Sequence, residues 1–584
     1  METVGLKTEL LKCDLCVVGG GIAGISAAIT AARSGIKVVL IHERPVFGGN
    51  ASGEIRMWIC GVKNYEYRET GLNEEINLEN FYYNPTKNYN LWNALLYNKV
   101  KSEKNIISLL NCTCFDAETV DNKIKSVRAY QMTTQKFFSV EAKYYADCSG
   151  DSILAPLTGA EFMYGREGKD EFNEPMQSHS DSDKKTMGNS CLLQARKTDR
   201  PVKFIAPEWA EKVSVEKLKS KGLNLFSTSE NFWYIELGGL FDVIGEAENI
   251  NYKLIALCLG VWDTIKNSGE FDADYFDLDF LGFLGAKRES RRMLGDYVLT
   301  ANDVLSAKIF DDTVAYGGWP LDDHDPAGFY AENSNYTIAV KKPYGIPYRC
   351  LYSKNIDNLF FAGRNISATH MATSSARVMG TCGIIGQAVG IAASVAAKYN
   401  CSPKCVGDHI EEVQQLLLIN DCFLPDIKRS VSDLCLSARL IGGNDSLRNG
   451  EDRSFGSQEV FSVENGKEIK YVLSSSAMVS GVKIVFDSDL TRSTYDMDFI
   501  EKIYSMRCNI LDDSPVMHMP ATLAKTFELT IVGENGKIKN ILFKENKKRN
   551  ILFPLGVAVK EISLKIIDNW GDTNKTNIFT FELY

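Results

Sequence analysis

Histidine is scarce in this chain, with six among 584 residues, so few side chains can exchange a proton near neutral pH. Long apolar runs are missing too. The most apolar stretch, around Ile384 to Ala397, is too short for a membrane span and holds Gln387 and several glycines. There is no basic excess either: 75 acidic against 65 basic residues leave a net charge of −10. That balance argues against nucleic acid and anionic membrane surfaces as main partners. No secretory signal is expected, because Lys7, Glu9 and Lys12 precede a strand that already belongs to the fold. The 15 cysteines are odd in number and scattered through apparent strands and helices, which points to reduced thiols in a cytoplasmic compartment. Cys13 and Cys16 have CxxC spacing but flank an apolar strand, and no second CxxC completes a tetrahedral site, so no metal site is expected.

What is present is a strand-turn-helix fingerprint at the N-terminus. Leu15 to Val18 is a short apolar run, followed by Gly19-Gly-Gly21-Ile22-Ala23-Gly24 and an Ala-rich helix. In a dinucleotide site Gly19 permits the tight turn, Gly21 lets backbone approach the pyrophosphate, and Gly24 lets helix and strand pack closely. The amides at the helix start, at Ile22 and Ala23, then face the anion. Val38 to Ile41 forms a second strand, and Glu43 after it is placed to bond an adenosine ribose while repelling a 2′-phosphate.

Three further segments favour FAD over NAD. Arg44-Pro-Val-Phe-Gly48-Gly49-Asn50-Ala51 is a second glycine turn, and Tyr145 to Asp151 ends a β-rich stretch in the polar turn Ser149-Gly150-Asp151. Asn358 to Arg364 reads as a strand ending at Gly363-Arg364, followed later by a helix from about Thr381 to Tyr399. The start of that helix, around Gly383, is nearly free of bulky side chains. Its dipole and free amides suit negative charge on a reduced flavin. No second GxGxxG lies in a strand-helix-strand unit, and no CxxxxC lies beside the flavin segments, so neither a nicotinamide domain nor a disulfide relay is expected.

These segments, with Glu54-Ile-Arg56-Met-Trp58, Arg288-Glu-Ser-Arg291-Arg292 and Gly363 through His370 to Arg377-Val-Met-Gly, resemble the FAD-dependent oxidoreductases of the glutathione-reductase superfamily. More narrowly, they resemble a bacterial branch known simply as FAD-dependent oxidoreductases, some members of which carry the label xanthan lyase. The likeness runs from about residue 12 to 430. It implies FAD as cofactor and places Arg56, Arg288, Arg291, Arg364 and Arg377 near cofactor or substrate. It also implies non-covalent attachment, because Asn50 stands where some related flavoproteins carry a linking histidine.

The expected fold class is α/β: a Rossmann-like FAD-binding domain with an inserted α+β substrate domain, followed by an all-β sandwich. Residues 1–150 and 340–400 form the discontinuous FAD domain, 151–339 the insert, 401–430 a helical connector and 431–584 the sandwich. The polar stretch Gly165 to Asn189 reads as a lid or a solvated loop. Past 431, apolar residues alternate in Val482–Phe486, Phe527–Ile531, Ile562–Ile566 and Ile578–Phe581. This part loosely resembles galactose-binding-like sandwiches, and Tyr504 and Trp570 offer either a sugar platform or packing within the chain.

The expected chemistry is hydride transfer between flavin and a small polar substrate, hydroxylated or carbohydrate-derived. A polysaccharide lyase or carbohydrate-binding protein with a structural FAD is the alternative. The electron acceptor is external, and the sequence does not name it. Of the histidines, His42 adjoins the adenosine strand, His179 lies in the polar stretch, His409 in the connector and His518 in the sandwich. His370 and His324 remain as general acid or base, His370 favoured because it follows the third flavin segment. Arg364 and Tyr348 are further catalytic candidates. Arg56, Arg288, Arg291, Tyr344 and Arg377 are candidates for gripping the substrate, since arginine holds a carboxylate or phosphate bidentately.

Overall fold

The structure is a computed structural model and describes residues 6–175, 181–456, 460–511 and 513–584. His179 lies outside these residues. The N-terminal fingerprint folds as β1 (Thr8–Val18), α1 (Ile22–Arg33) and β2 (Val38–Ile41). β1 is longer than its apolar run: its outer half, Thr8 to Cys13, is stabilised by parallel pairing with Phe137 to Ala142 rather than by burial. After β3 (Ile106–Leu109) come β4 (Cys112–Val120), β5 (Lys123–Gln131) and β6 (Lys136–Asp147). The sheet order is β3-β2-β1-β6-β5-β4, with β1, β2, β3 and β6 parallel and β4 and β5 added antiparallel. A late strand, β7 (Leu359–Phe361), pairs parallel to Tyr145–Asp147. Both cofactor-motif regions of the chain therefore belong to one Rossmann-like sheet, and their turns lie at the carboxyl ends of its strands, where such sheets bind nucleotides.

Helix α2 (Met379–Tyr399) packs along α1. It begins two residues earlier than expected, and its 21 residues are long and apolar enough to cross a membrane. Its apolar surface is nevertheless buried within the protein. Glycines explain the fit: a Cβ on Gly386 would lie 2.2 Å from the Ala23 carbonyl oxygen, and one on Gly390 2.6 Å from that of Ala27.

The chain divides into two compact units that no single cut separates. One comprises Met1–Lys63, Lys87–Val413 and Tyr504–Pro515; the other comprises Asn64–Thr86, Gln414–Ile503 and Val516–Tyr584. In the first unit, the α+β region is built on helix Ala247–Asn267 and the antiparallel pair Leu193–Lys197 with Phe276–Leu281, over a core containing Phe232, Leu257 and Trp262. Among the described residues of the polar stretch from Gly165, Arg166 pairs with Asp183, and Glu167 and Glu174 are buried.

The second unit is a seven-stranded antiparallel sheet dominated by two long strands, Glu468–Phe486 and Asn550–Asn569. All four alternating segments read from the sequence lie in its strands. Its core is not purely β, because helix Leu72–Tyr83 contributes Leu78 and Phe81, and Glu74 of that helix forms a fully buried ion pair with Arg492 at 2.8 Å. Trp570 packs edge-on to Tyr82, and its Nε1 donates to the Asn546 carbonyl.

Candidate active site

One cavity of about 890 Å³ runs from the glycine turns of the Rossmann-like sheet to a cluster of charged and aromatic residues in the α+β region. At its first end Gly19 sits at φ +107°, and a Cβ there would come within 2.3 Å of the Cys148 carbonyl oxygen. Gly24 is tighter still, its added Cβ lying 1.8 Å from the Gly19 oxygen. This is the close helix-strand approach the fingerprint implies, and it keeps Gly24 behind the wall. Gly21, by contrast, has only the Gly49 Cα within 4 Å, at 3.9 Å, so the space beside it is open cavity.

The start of α1 suits an anion. It carries no acidic residue in its first turn and no side-chain cap, so no group of its own occupies the amides at Ile22 and Ala23. Glu43, Arg44, Gly49 and Asn50 line the same wall, while Ala51 is buried beside it, its carbonyl accepting from Trp92 Nε1. His42 is held as a neutral acceptor of the Gly20 N–H: burial pulls its imidazole down to about 4, aided by Arg44. These residues fit the pyrophosphate and ribose of FAD.

Further along, Ser149, Gly150 and Asp151 meet Gly363 and Arg364. Burial alone would raise the Asp151 carboxyl, but Arg364 at 2.9 Å and Lys287 at 2.6 Å hold it down at about 2. Arg364 thus serves a fixed carboxylate, and its Nε is buried without a hydrogen-bond partner. At the start of α2, Val378, Met379 and Cys382 line the cavity, whereas Gly383 is buried in the helix away from it. This helix start also lacks an acidic residue and a side-chain cap.

The far end differs from expectation at its centre. His370 does not line the cavity. It is 2% exposed, with Nδ1 2.8 Å from Glu289, Nε2 2.9 Å from Asp323, and its backbone N–H donating to Glu167. Burial would lower its pKa, but the two carboxylates raise it to about 10, so it is a locked imidazolium with both nitrogens engaged. His324 does line the cavity. Glu236 fixes its Nδ1 at 2.7 Å, while Nε2 faces the Asp322 carboxylate more loosely, at 3.5 Å. A carboxylate on one ring nitrogen orients the ring and leaves the other nitrogen for proton exchange.

Around His324 stand Arg288, 3.2 Å from Glu236, and Arg377, whose Nη2 donates to the Asp322 carbonyl at 3.2 Å. Burial would raise the Asp322 carboxyl, but His324, Arg377 and Asn335 hold it well below the usual range. Arg291 also lines the cavity and donates to the Asp151 carbonyl. Three other candidates lie outside it. Arg56 turns toward Gln194 and Asp279, with its guanidinium 4.0 Å over Phe280. Tyr344 bonds Ser375 and Tyr348 donates to the Pro403 carbonyl, both fully buried.

Sequence reasoning missed Glu236, Lys287, Lys63 and the place of Tyr504. Asp322 was visible as the neighbour of His324 in Asp322-Asp323-His324, but no local pattern marks the others. Tyr504 belongs to the first unit and stacks on Trp58 at the cavity wall, 4.3 Å between ring centroids.

Curated relatives match over short segments. The chain is 63% identical over 38 residues to a fumarate reductase (cytochrome) of Shewanella frigidimarina, covering 6% of this chain and 7% of that protein. It is 37% identical over 70 residues to glycerol-3-phosphate dehydrogenase 2 of Mycobacterium bovis, covering 12% of each. The chain thus spans about a tenth of the length of these relatives. Among solved structures, a geranylgeranyl bacteriochlorophyll reductase-like protein from Thermoplasma acidophilum aligns with 70% of this chain and 86% of its own, at 12% identity and a TM-score of 0.32. Over residues 14–417 the sequence matches the model of the family described as FAD dependent oxidoreductase, and with three FAD segments gathered on one cavity the chain belongs to that family.

Proposed function

We propose that this protein exchanges a hydride between its flavin and a small polar substrate held at the charged end of the cavity. One observation carries the reading: the glycine turns and the His324 cluster line a single continuous cavity. FAD supplies the hydride acceptor or donor when bound. Gly21, Gly49 and the first amides of α1 would hold its pyrophosphate and Glu43 its ribose, and the uncapped start of α2 would suit negative charge on its reduced ring system.

The chain's own residues do the rest. Arg288 and Arg377 orient the substrate, each kept in place by a carboxylate partner, Glu236 and Asp322. His324 Nε2 takes or returns the proton that accompanies the hydride, and Glu236 stabilises the imidazolium that forms. His370 and Tyr348 act as buried supports in this scheme. Anaerobic screening for compounds that bleach the flavin, followed by stopped-flow reduction of His324→Gln, tests the assignment. A variant that retains flavin but reduces about 10²- to 10⁴-fold more slowly supports it. Reduction at the wild-type rate removes His324 from the mechanism.

A further inference from the structure

The cavity beyond the glycine turns is walled by aromatic rings. Three of the chain's seven tryptophans, Trp58, Trp233 and Trp319, line it together with Tyr504. Two of these rings engage neighbouring charged or titratable groups: Lys63 Nζ lies 4.6 Å over Trp319, and Trp233 meets the His324 ring edge to face at 5.5 Å. Trp58 and Tyr504 instead stack on each other with only 3° between their planes. Rings stacked this way cover each other's inner faces, so the pair presents the outer face of one ring, backed by the other, as an apolar wall.

That wall is preorganised by a segment from the far end of the chain. Lys87 Nζ donates to the Tyr504 carbonyl at 2.8 Å, and the Cys508 N–H to the Thr228 carbonyl at 2.9 Å. Asn509 accepts from the Ala195 N–H and donates to the Leu225 carbonyl, and Ile510 extends the strand Leu193–Lys197 through bonds of 2.9 Å to Ala195 and Lys197. Tyr504 is therefore anchored by its successors rather than hanging on a loose loop.

The same cavity carries neutral hydrogen-bonding groups: Asn189, Asn231, Asn335 and Thr337 line it, and Asn189 Oδ1 has no hydrogen-bond partner within the protein. A flat apolar face next to mixed donors and acceptors matches a polyhydroxylated ring, whose C–H face stacks while its hydroxyls bond amides and carboxylates. Charge adds a further requirement. Arg288 and Arg377 are paired with Glu236 and Asp322, whereas Lys63 on the same cavity has no carboxylate within ion-pair distance among the described residues. An anionic group on the ligand balances it.

We infer that the substrate is a hydroxylated ring bearing a carboxylate, with its C–H face against the outer face of the Trp58–Tyr504 stack and its carboxylate at Lys63. Tyr504 is then a specificity-determining residue. The inference rests on the hydride-transfer reading for what happens to the ring, but the binding it describes can be measured separately.

The experiment is isothermal titration of the flavin-loaded protein with glucuronate, galacturonate and mannuronate, with glucose and benzoate as neutral-sugar and flat-acid probes. Saturable binding of at least one uronate, tighter than glucose and benzoate, is expected. Tyr504→Ala should weaken that binding by about tenfold and Tyr504→Phe should restore it, in keeping with an aromatic stacking contact. Lys63→Met, which leaves the aromatic wall untouched, should erase the preference for uronate over glucose. Benzoate binding better than every uronate, no uronate binding at all, or unchanged affinity in Tyr504→Ala with flavin retained would each overturn the inference. If uronates bind but no compound bleaches the flavin, the hydride-transfer reading fails and the ligand class stands. If an acyclic or aromatic compound bleaches it while uronates do not bind, the ligand class fails alone.

Discussion

Replacing His370 with Gln should unmask a pH-dependent loss of stability rather than a catalytic defect. The imidazolium lies between Glu289, fully buried, and Asp323, with Arg292 3.4 Å from Glu289 on the far side. Its pKa rises from 6.5 unfolded to about 10 folded. A raised value means that the stabilisation is complete below the unfolded pKa and is lost as pH climbs through the folded one. Each pH unit between the two values is worth about 1.4 kcal/mol, so the wild-type advantage should be about 5 kcal/mol near pH 6 and about 1 kcal/mol near pH 9.5. That size agrees with the roughly 3–5 kcal/mol expected for removing one partner of a buried pair. Urea unfolding of the flavin-loaded proteins, followed by flavin release across this pH range, measures the gap directly; titrations shared by both proteins cancel in it. A gap that stays constant with pH would refute the locked-imidazolium account. So would a folded His370→Gln protein whose flavin reduction stalls as completely as that of the His324 variant, since His370 would then face the substrate.

Gly24→Ala should yield no flavin-loaded protein, because its Cβ would sit 1.8 Å from a backbone oxygen that cannot yield; Gly35→Ala, with nothing within 4 Å, should cost only about 1 kcal/mol of backbone strain and keep its flavin, as absorbance after purification will show. Glu43→Ala should lower FAD affinity about tenfold, since one charged hydrogen-bonding group is lost from a side chain still 59% exposed; titration of apoprotein with FAD reads this, and unchanged affinity would place the adenosine elsewhere. Deleting the chain after Ser430 should give insoluble, flavin-free protein. It removes the backbone partners of Ala195 and Lys197 and leaves Leu78 and Phe81 without their sheet, so a soluble yellow fragment would show that these contacts are dispensable.

The nucleotide end of the site was legible because its requirements are local. A pyrophosphate needs backbone amides at close range, which a glycine-rich turn between an apolar strand and a helix provides, so Gly19, Gly21 and Gly24 could be proposed from spacing, and Gly49 and Gly363 from the glycine turn and strand end they occupy. Strand alternation marked the C-terminal sheet for a similar reason, because period two follows from the backbone of each strand.

The catalytic end was not legible, because it is assembled across the chain. Sequence favours His370 over His324 for its place after the third flavin segment; burial between Glu289 and Asp323 occupies it, while Glu236 holds His324 at the cavity wall. Glu289, Asp323 and Glu236 all lie far in sequence from the histidine they hold, and only Asp322 is a sequence neighbour of the one it faces, His324. Helix Leu72–Tyr83 and the segment Tyr504–Pro515 each belong with the unit their flanking sequence does not suggest. By itself the sequence determined the cofactor fold, through glycine positions and apolar periodicity that act over a few residues. Only the tertiary structure decided which histidine meets the cavity and which aromatic walls it, since burial and charge pairing depend on residues brought together from distant parts of the chain.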